Sequence, residues 1–433
     1  MAQRRGTIAQ HGLLRTPGPM RQLVRVLGVA LTVALVSGAG VAAYAAWDFS
    51  SAWSEDAVVL DGQESAPPDI GALDDEGVNI LFAGLDACEE ETKHLFPGRC
   101  DPRVTYDETT RASALNDVNL VMHISPEPRR VTVISFPRDL MLSAPECSLP
   151  EGGTAPAVDR IQLNELYQRG DIPCVANALS ALSGLQIDYA ASITWGGVIE
   201  ITNAIGGVEV CVGGKGIYDE KNTGLALAPG QHTLVGQQAL EFLRTRQGVG
   251  DGSDLGRIGN QQVYMTALVR TLMSDAVLRD AGRVLSLART TLESVRPSSS
   301  LTDPVKLAQI GMAAADVPLS DFTFVQYPVV DDLYNSNRVA PDEASAEALW
   351  VALAQNVPLE ITGDTGGGAV LAEGEEAPAP EGTQDPGETP ASGAPSAAPT
   401  PAPAGTPASG ELGANVRGSD ASQVTCSNGR GVL

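Results

Sequence analysis

The chain has 433 residues, a formal charge of −25, 46 glycines, 29 prolines and only 4% aromatic residues. A nucleic-acid binder would carry a basic face, so this balance excludes that class and leaves a modest core with much irregular chain. The six cysteines form no CxxC and the four histidines are scattered, which argues against a zinc centre.

Residues 1–25 contain Arg4, Arg5, Arg15, Arg21 and Arg25 and no acid, and residues 26–47 carry no charge at all. A helix over 26–47 would rise about 33 Å, enough for a hydrocarbon core of about 30 Å. Asp48, Glu55, Asp56, Asp61 and Glu64 follow. The positive-inside rule therefore predicts a single transmembrane helix over 26–47 at the cell membrane, with a cytoplasmic N-terminus and everything from Asp48 outside. A cleaved signal peptide is the rival, but its apolar core usually runs only about 7–15 residues. In an exported chain an even cysteine count suits disulfides. Cys88 with Cys100 and Cys147 with Cys174 are the expected pairs.

Residues 48–77 read as a stalk. Val78–Leu85 is a short apolar run, the signature of a buried strand, and 86–116 reads as an excursion loop. Asn119–Ser125 and Arg130–Phe136 flank Pro126-Glu127-Pro128 as a hairpin. A helix is expected over 161–185, broken by Gly170 and Pro173, then a strand at Tyr189–Trp195 and a helix at Val198–Ile205 closed by Gly206-Gly207. Val208–Val212 and Phe322–Tyr327 read as strands. Helices are expected at Gln237–Arg244, Arg257–Met273, 276–294, 303–315 and 342–355. Alternating strands and helices predict an α/β layered domain over 78–362. Residues 363–433 are expected to be a disordered Pro/Ala/Gly-rich tail, with Cys426 as the one tether in its last stretch.

Basic residues are scarce after residue 48, so their clustering carries information. Arg138 follows a strand in SFPRD, Arg244 and Arg246 stand in FLRTR, and Asp254 and Arg257 stand in GDGSDLGR, ahead of Gln261. A helix starting near Leu255 sets Arg257 and Gln261 one turn apart on one face. Guanidinium groups bind phosphate bidentately. Asp86 and Asp117 sit at strand ends, where α/β sites are built, and carboxylate oxygens suit Mg²⁺. Each piece alone has an ordinary explanation: an Arg-x-Arg pair commonly forms surface salt bridges, and an Asp after a strand is commonly a turn residue.

Together, GLD (84–86), NDVNLVMHISP (116–126), VTVISFPRDL (131–140), IQLNELY (161–167), AIGGVEV (204–210), ALEFLRTR (239–246) and GDGSDLGRIGNQQ (250–262) resemble the LytR-CpsA-Psr family over roughly 78–273. The helical region to about 360 is similar to that family's extension. The resemblance implies a three-layer α/β/α sandwich with a central mixed sheet, holding a polyprenyl pyrophosphate whose tail enters an apolar tunnel. It implies a catalytic set of Arg138, Asp139, Asp117 and Asp254, with Asp139 positioning Arg138. Arg138, Arg244, Arg246, Arg257 and Gln261 would bind the pyrophosphate, and Asp86 and Asp117 would hold Mg²⁺, with Mn²⁺ as the alternative. The implied reaction transfers a glycan from a polyprenyl-pyrophosphate carrier to peptidoglycan outside the membrane. A carrier hydrolase, or a carrier-binding surface protein without transfer, is the alternative. No general base is evident; Asp139 and Asp86 are the candidates.

This chain departs from the family pattern in three places. Leu115-Asn116-Asp117 stands where Arg-Ser-Asp is common, Asn260 precedes Gln261 where Arg is common, and a cysteine-bearing insertion follows Asp86. Arg111, from that insertion, is the expected substitute for the missing basic contact.

Overall fold

The computed structural model describes residues 54, 57–61, 77–96, 99–101, 103–106, 111, 114–274, 281–372 and 410–431. The expected cytoplasmic N-terminus and transmembrane helix (1–47) lie outside them. Among the described residues, no helix is long and apolar enough to cross a membrane. Along the chain run β1 (Val78–Asp86), β2 (Leu115–Ile124), β3 (Val131–Phe136), α1 (Leu166–Ser183), β4 (Tyr189–Ile193), α2 (Trp195–Ile205), β5 (Val208–Gly214) and β6 (Gly230–Leu234). There follow α3 (Gln237–Arg244), α4 (Asp254–Leu272), α5 (Ala281–Ser294), β7 (Val295–Pro297), α6 (Pro304–Ala315), β8 (Phe322–Gln326), α7 (Glu343–Ala354), β9 (Ala369–Leu371), β10 (Gly418–Asp420) and β11 (Thr425–Gly429). Short turns and two-stranded ribbons lie between them.

The central sheet has the order β7-β4-β1-β2-β3-β8-β10 and is mixed. The turn at 126–128 joins β2 and β3 as the expected hairpin, and β1 also pairs antiparallel with β2. Strands β4 and β8 add in parallel to β1 and β3. Register explains why the sheet needs cover on both faces. Leu81, Val121, Ile134 and Val325 stand opposite one another across four strands, and Ile80, Met122, Val133 and Phe324 form the adjacent row pointing the other way. The first row packs on Leu166, Val175 and Leu179 of α1 and Leu349 and Leu353 of α7. Helices α2 and α4 lie against β1 and β8. Each fully buried leucine, isoleucine or phenylalanine in these rows contributes about 1.5–3 kcal/mol.

Three expectations are corrected. Within the stalk, Val58 and Leu60 are buried in the main core, and Val58 exchanges backbone hydrogen bonds with Pro297 and Ser299. The run Ala57-Val58-Val59-Leu60 is apolar enough to pack once a partner strand edge is near. Ile161 and Gln162 belong to a strand, Val158–Gln162, so the helix starts only at Leu166 and is interrupted at Gly170 and Asp171. The tail read as disordered over 363–433 is built into the fold at 363–372 and 410–431. There β11 lies between β5 and β9 in a second, four-stranded sheet of order β6-β5-β11-β9, and β10 caps the edge of the central sheet. Disulfides join Cys88–Cys100 and Cys147–Cys174 as expected, and Cys211 to Cys426. This third bond, with a hydrogen bond from Ser427 Oγ to Asn260 Oδ1, holds β11 in place.

One histidine makes the fold acid-sensitive. His123 on β2 is 4% exposed, its Nδ1 lies 2.8 Å from Asn79 Oδ1, and among the described residues its Nε2 has no partner. Burial lowers its pKa from 6.5 to about 4. A depressed histidine favours the fold while neutral, so its contribution is complete above pH 6.5 and is lost as pH falls towards 4. The loss should approach about 3 kcal/mol. Urea unfolding at pH 7, 5.5 and 4 should show a shallower stability loss in His123→Gln than in wild type. Parallel curves would remove His123 from this role.

Candidate active site

The sheet brings three strand ends together: the C-terminal ends of β1 and β3 and the N-terminal end of β2. Asn116 pairs with Leu85 and Val118 with Gly84, so Asp117 is the extra residue of a bulge, a device that re-aims a side chain. Gly84 permits the close approach; a Cβ there would stand 2.8 Å from Val118 Cβ. Pro137 ends β3 and delivers Arg138. The α4 helix is capped by Ser253 Oγ, which accepts from Gly256 N at 3.2 Å, placing Asp254 in its first turn, where the helix dipole favours a carboxylate.

Arg138 is the hub. Its Nη1 lies 2.5 Å from Asp117 Oδ2, and its Nε lies 3.2 Å from Asp254 Oδ1 and 3.9 Å from Asp139 Oδ2. Arg257 Nη2 reaches Asp254 Oδ1 and the Asp117 carbonyl oxygen, both at 2.8 Å. Arg246 Nη1 is 3.8 Å from Asp254. Burial works to lower the pKa of Arg138, but Asp117, Asp254 and Asp139 outweigh it and hold the guanidinium above its usual value. Burial, reinforced by Asp254, raises Asp139 despite three facing arginines. Burial, then the charge of Arg138, lowers Arg246.

Two expected members are engaged differently. Asp139 is held more tightly by Arg338 Nη1 at 3.1 Å and Gln162 Nε2 at 2.9 Å than by Arg138. Gln261 donates from Nε2 to the Leu243 carbonyl at 2.9 Å, tying α4 to the end of α3. The departures from the family pattern acquire structural reasons. Asn116 is fully buried, bonding Asn119 Oδ1 and the Leu163 carbonyl while accepting from Tyr167 N. Asn260 bonds the Phe242 carbonyl and Ser427. Arg111 does not reach the site: both its terminal nitrogens pair with Glu151, at 3.0 and 3.2 Å.

Arg244 and Asp86 form the other half of the cluster. Arg244 makes no ion pair among the described residues; its guanidinium carbon lies 4.0 Å from the centre of the Trp195 ring and 4.6 Å from that of Phe96, and its Nη1 is buried without a partner. Burial lowers its pKa although Asp86 opposes the shift. Asp86 Oδ2 is 3.2 Å from Arg99 Nε, and its Oδ1 is buried and unpaired among the described residues. Burial, then the charge of Asp117, raises the Asp86 pKa. Two facing carboxylates with an orphan oxygen suit a divalent cation. Among the described residues no three His, Cys, Asp or Glu side chains form a metal cluster. Further ligands would have to be water or substrate phosphates, which Mg²⁺ commonly accepts.

Sequence reasoning missed Arg338, Gln162, Arg99 and Asn164, whose Nδ2 donates to Asp117 Oδ1 at 3.4 Å. Gln162 and Asn164 lay inside the quoted IQLNELY run, whereas Arg99 and Arg338 come from loops with no local signal. Arg338 and Gln162 also line a cavity of about 540 Å³ with Arg160, Glu165 and Tyr334.

Carboxylates and arginines thus interleave at the strand ends of a mixed α/β sheet. The LytR_cpsA_psr family profile matches residues 48–355, and the chain belongs to the LytR-CpsA-Psr family. It is similar to the cell wall biosynthesis protein LcpA of Corynebacterium glutamicum, 29% identical over 194 residues, 41% of this chain and 37% of LcpA. The probable cell wall biosynthesis protein LcpB of the same organism is 27% identical over 239 residues, 54% and 52% of the two chains. The chain thus spans about a third to a half of these relatives. The polyisoprenyl-teichoic acid–peptidoglycan teichoic acid transferase TagU of Enterococcus faecalis is 22% identical over 284 residues, 65% of this chain and 80% of TagU. Among solved structures, the LytR-Csp2A-Psr enzyme from Actinomyces oris aligns with TM-score 0.48 and 21% identity over 69% of this chain and 96% of its own.

Proposed function

We propose that this chain is a membrane-anchored transferase that moves a glycan from a polyprenyl-pyrophosphate carrier onto peptidoglycan on the outer side of the membrane. The observation that carries the reading is the Arg138 hub, a guanidinium held among three carboxylates at the junction of β1, β2 and β3. The uncharged span at 26–47 and the arginines before it support the anchor and orientation. The α/β/α sandwich of the family supplies the frame.

In the proposed step an acceptor hydroxyl oxygen attacks the phosphorus nearest the glycan. The bond from that phosphorus to the bridging oxygen breaks, and polyprenyl phosphate leaves with the electron pair. Arg138, Arg244 and Arg246 bind the pyrophosphate oxygens and neutralise charge that develops as the bond opens. Arg257 and Asp254 hold Arg138 and Arg246 in position. Asp139, with its raised pKa, takes the hydroxyl proton. The cavity beside it shares Gln162 and Arg338 with it, which supports seating the acceptor there. Asp86 and Asp117 are the residues that would hold Mg²⁺, which when bound supplies further neutralisation of the phosphate oxygens.

The test uses the full chain in detergent, a short-chain prenyl-pyrophosphate disaccharide and peptidoglycan fragments. Glycan joined to the fragments is expected, dependent on acceptor and abolished by chelation. Prenyl phosphate released at the same rate without acceptor, with no glycan joined, would instead favour the hydrolase.

A further inference from the structure

The insertion after β1 is a built part of the cluster. Its disulfide, Cys88–Cys100, closes a loop whose own small core buries Phe96 against Trp195 and Leu240. Glu89 pins the loop to the start of α2, accepting from Thr194 Oγ1 at 2.6 Å and Gly196 N at 2.9 Å. Inside it, the backbone N–H groups of Arg99 and Cys100 both donate to the Phe96 carbonyl at 2.9 Å, which sets Arg99 relative to the Phe96 ring. The loop therefore reaches the site twice. Phe96 supports Arg244 from one side, and Arg99 extends to Asp86.

We propose that this disulfide-closed loop contributes to the head-group site and that Arg99 is its head-group contact. On this reading, which rests on the proposed function, Arg99 binds the pyrophosphate beside Arg244. Three observations converge. Arg111, another arginine described in the insertion that precedes β2, is committed to Glu151. Arg99 is the basic residue of the loop that touches a site carboxylate. Its side chain is 40% exposed against 12% for Asp86, so it can turn from that carboxylate to an arriving phosphate. Asp86 then keeps its oxygens for a cation, and the site gains a positive charge next to an arginine with a free donor.

The experiment is calorimetric titration of geranyl pyrophosphate into the full chain in detergent, with and without Mg²⁺. Arg99→Ala should weaken binding about tenfold or more, the scale of a lost hydrogen bond to a charged group. Arg99→Lys should recover part of that loss, a rescue that a merely structural role would not produce. Cys88→Ser/Cys100→Ser should resemble Arg99→Ala, because the loop then no longer holds Arg99 beside Phe96. Wild-type affinity in Arg99→Ala, alongside weakened binding in Arg138→Ala, would overturn the role of Arg99 and leave the proposed function standing. No binding by wild type would overturn both.

Discussion

Arg138→Ala is expected to lower the rate of carrier-to-acceptor transfer about a hundred- to a thousandfold, the loss seen when one preorganised charge is taken from a developing oxyanion. The geometry supplies a second expectation. Without Arg138, Asp117, Asp139 and Asp254 lose their shared partner while remaining mostly buried, with side chains 12%, 18% and 9% exposed. Removing one member of a buried ionic cluster costs about 3–5 kcal/mol. Transfer rate and urea midpoint should therefore fall together in this variant. Arg138→Lys separates the two effects: its ammonium keeps the charge, so stability should recover further than rate, because the bidentate fork is missing. If Arg138→Ala retains transfer within a few-fold of wild type, the hub is structural and the proposed site is wrong.

The second large effect concerns stability. Cys211 and Cys426 are separated by 215 residues, and their bond fixes β11 between β5 and β9. Closing so long a loop restricts the unfolded chain far more than the separation of 12 between Cys88 and Cys100. Cys211→Ser/Cys426→Ser should lose about 2–5 kcal/mol, measured as a fall in urea midpoint with a steeper slope as the unfolded chain expands. The Cys88→Ser/Cys100→Ser pair should lose less. Equal midpoints for wild type and the long-loop variant would show that β11 is held by its hydrogen bonds alone.

Much of the frame was legible because it is local. The apolar run of β1, the Pro-flanked hairpin of β2 and β3, and the helical periods of α3, α4 and α7 lie close to their expected bounds. So do the two short-range disulfides. What escaped was long-range pairing without an apolar signature. Strand β11 reads Thr-Cys-Ser-Asn-Gly, yet Ser427 is fully buried, because small polar residues fill a narrow space between two neighbouring strands. The arginines of SFPRD and FLRTR stood out because basic residues are rare here. Their partners did not. Arg338 meets Asp139 from 199 residues away, and Arg99 meets Asp86 from inside an insertion. Likewise, nothing in the sequence shows that Gln261 spends its amide on a backbone carbonyl.

The aromatic clasp on Arg244 bears on the order in which the proposed pyrophosphate would meet the arginines. A phosphate approaching Arg138 has to compete with resident carboxylates, and one approaching Arg257 meets the same competition. Among the described residues Arg244 makes no ion pair, and its guanidinium is braced by two rings instead. Ring faces hold a cation in place without neutralising it. If the proposed function holds, the first phosphate contact is expected at Arg244, with rearrangement of the Arg138 cluster after it.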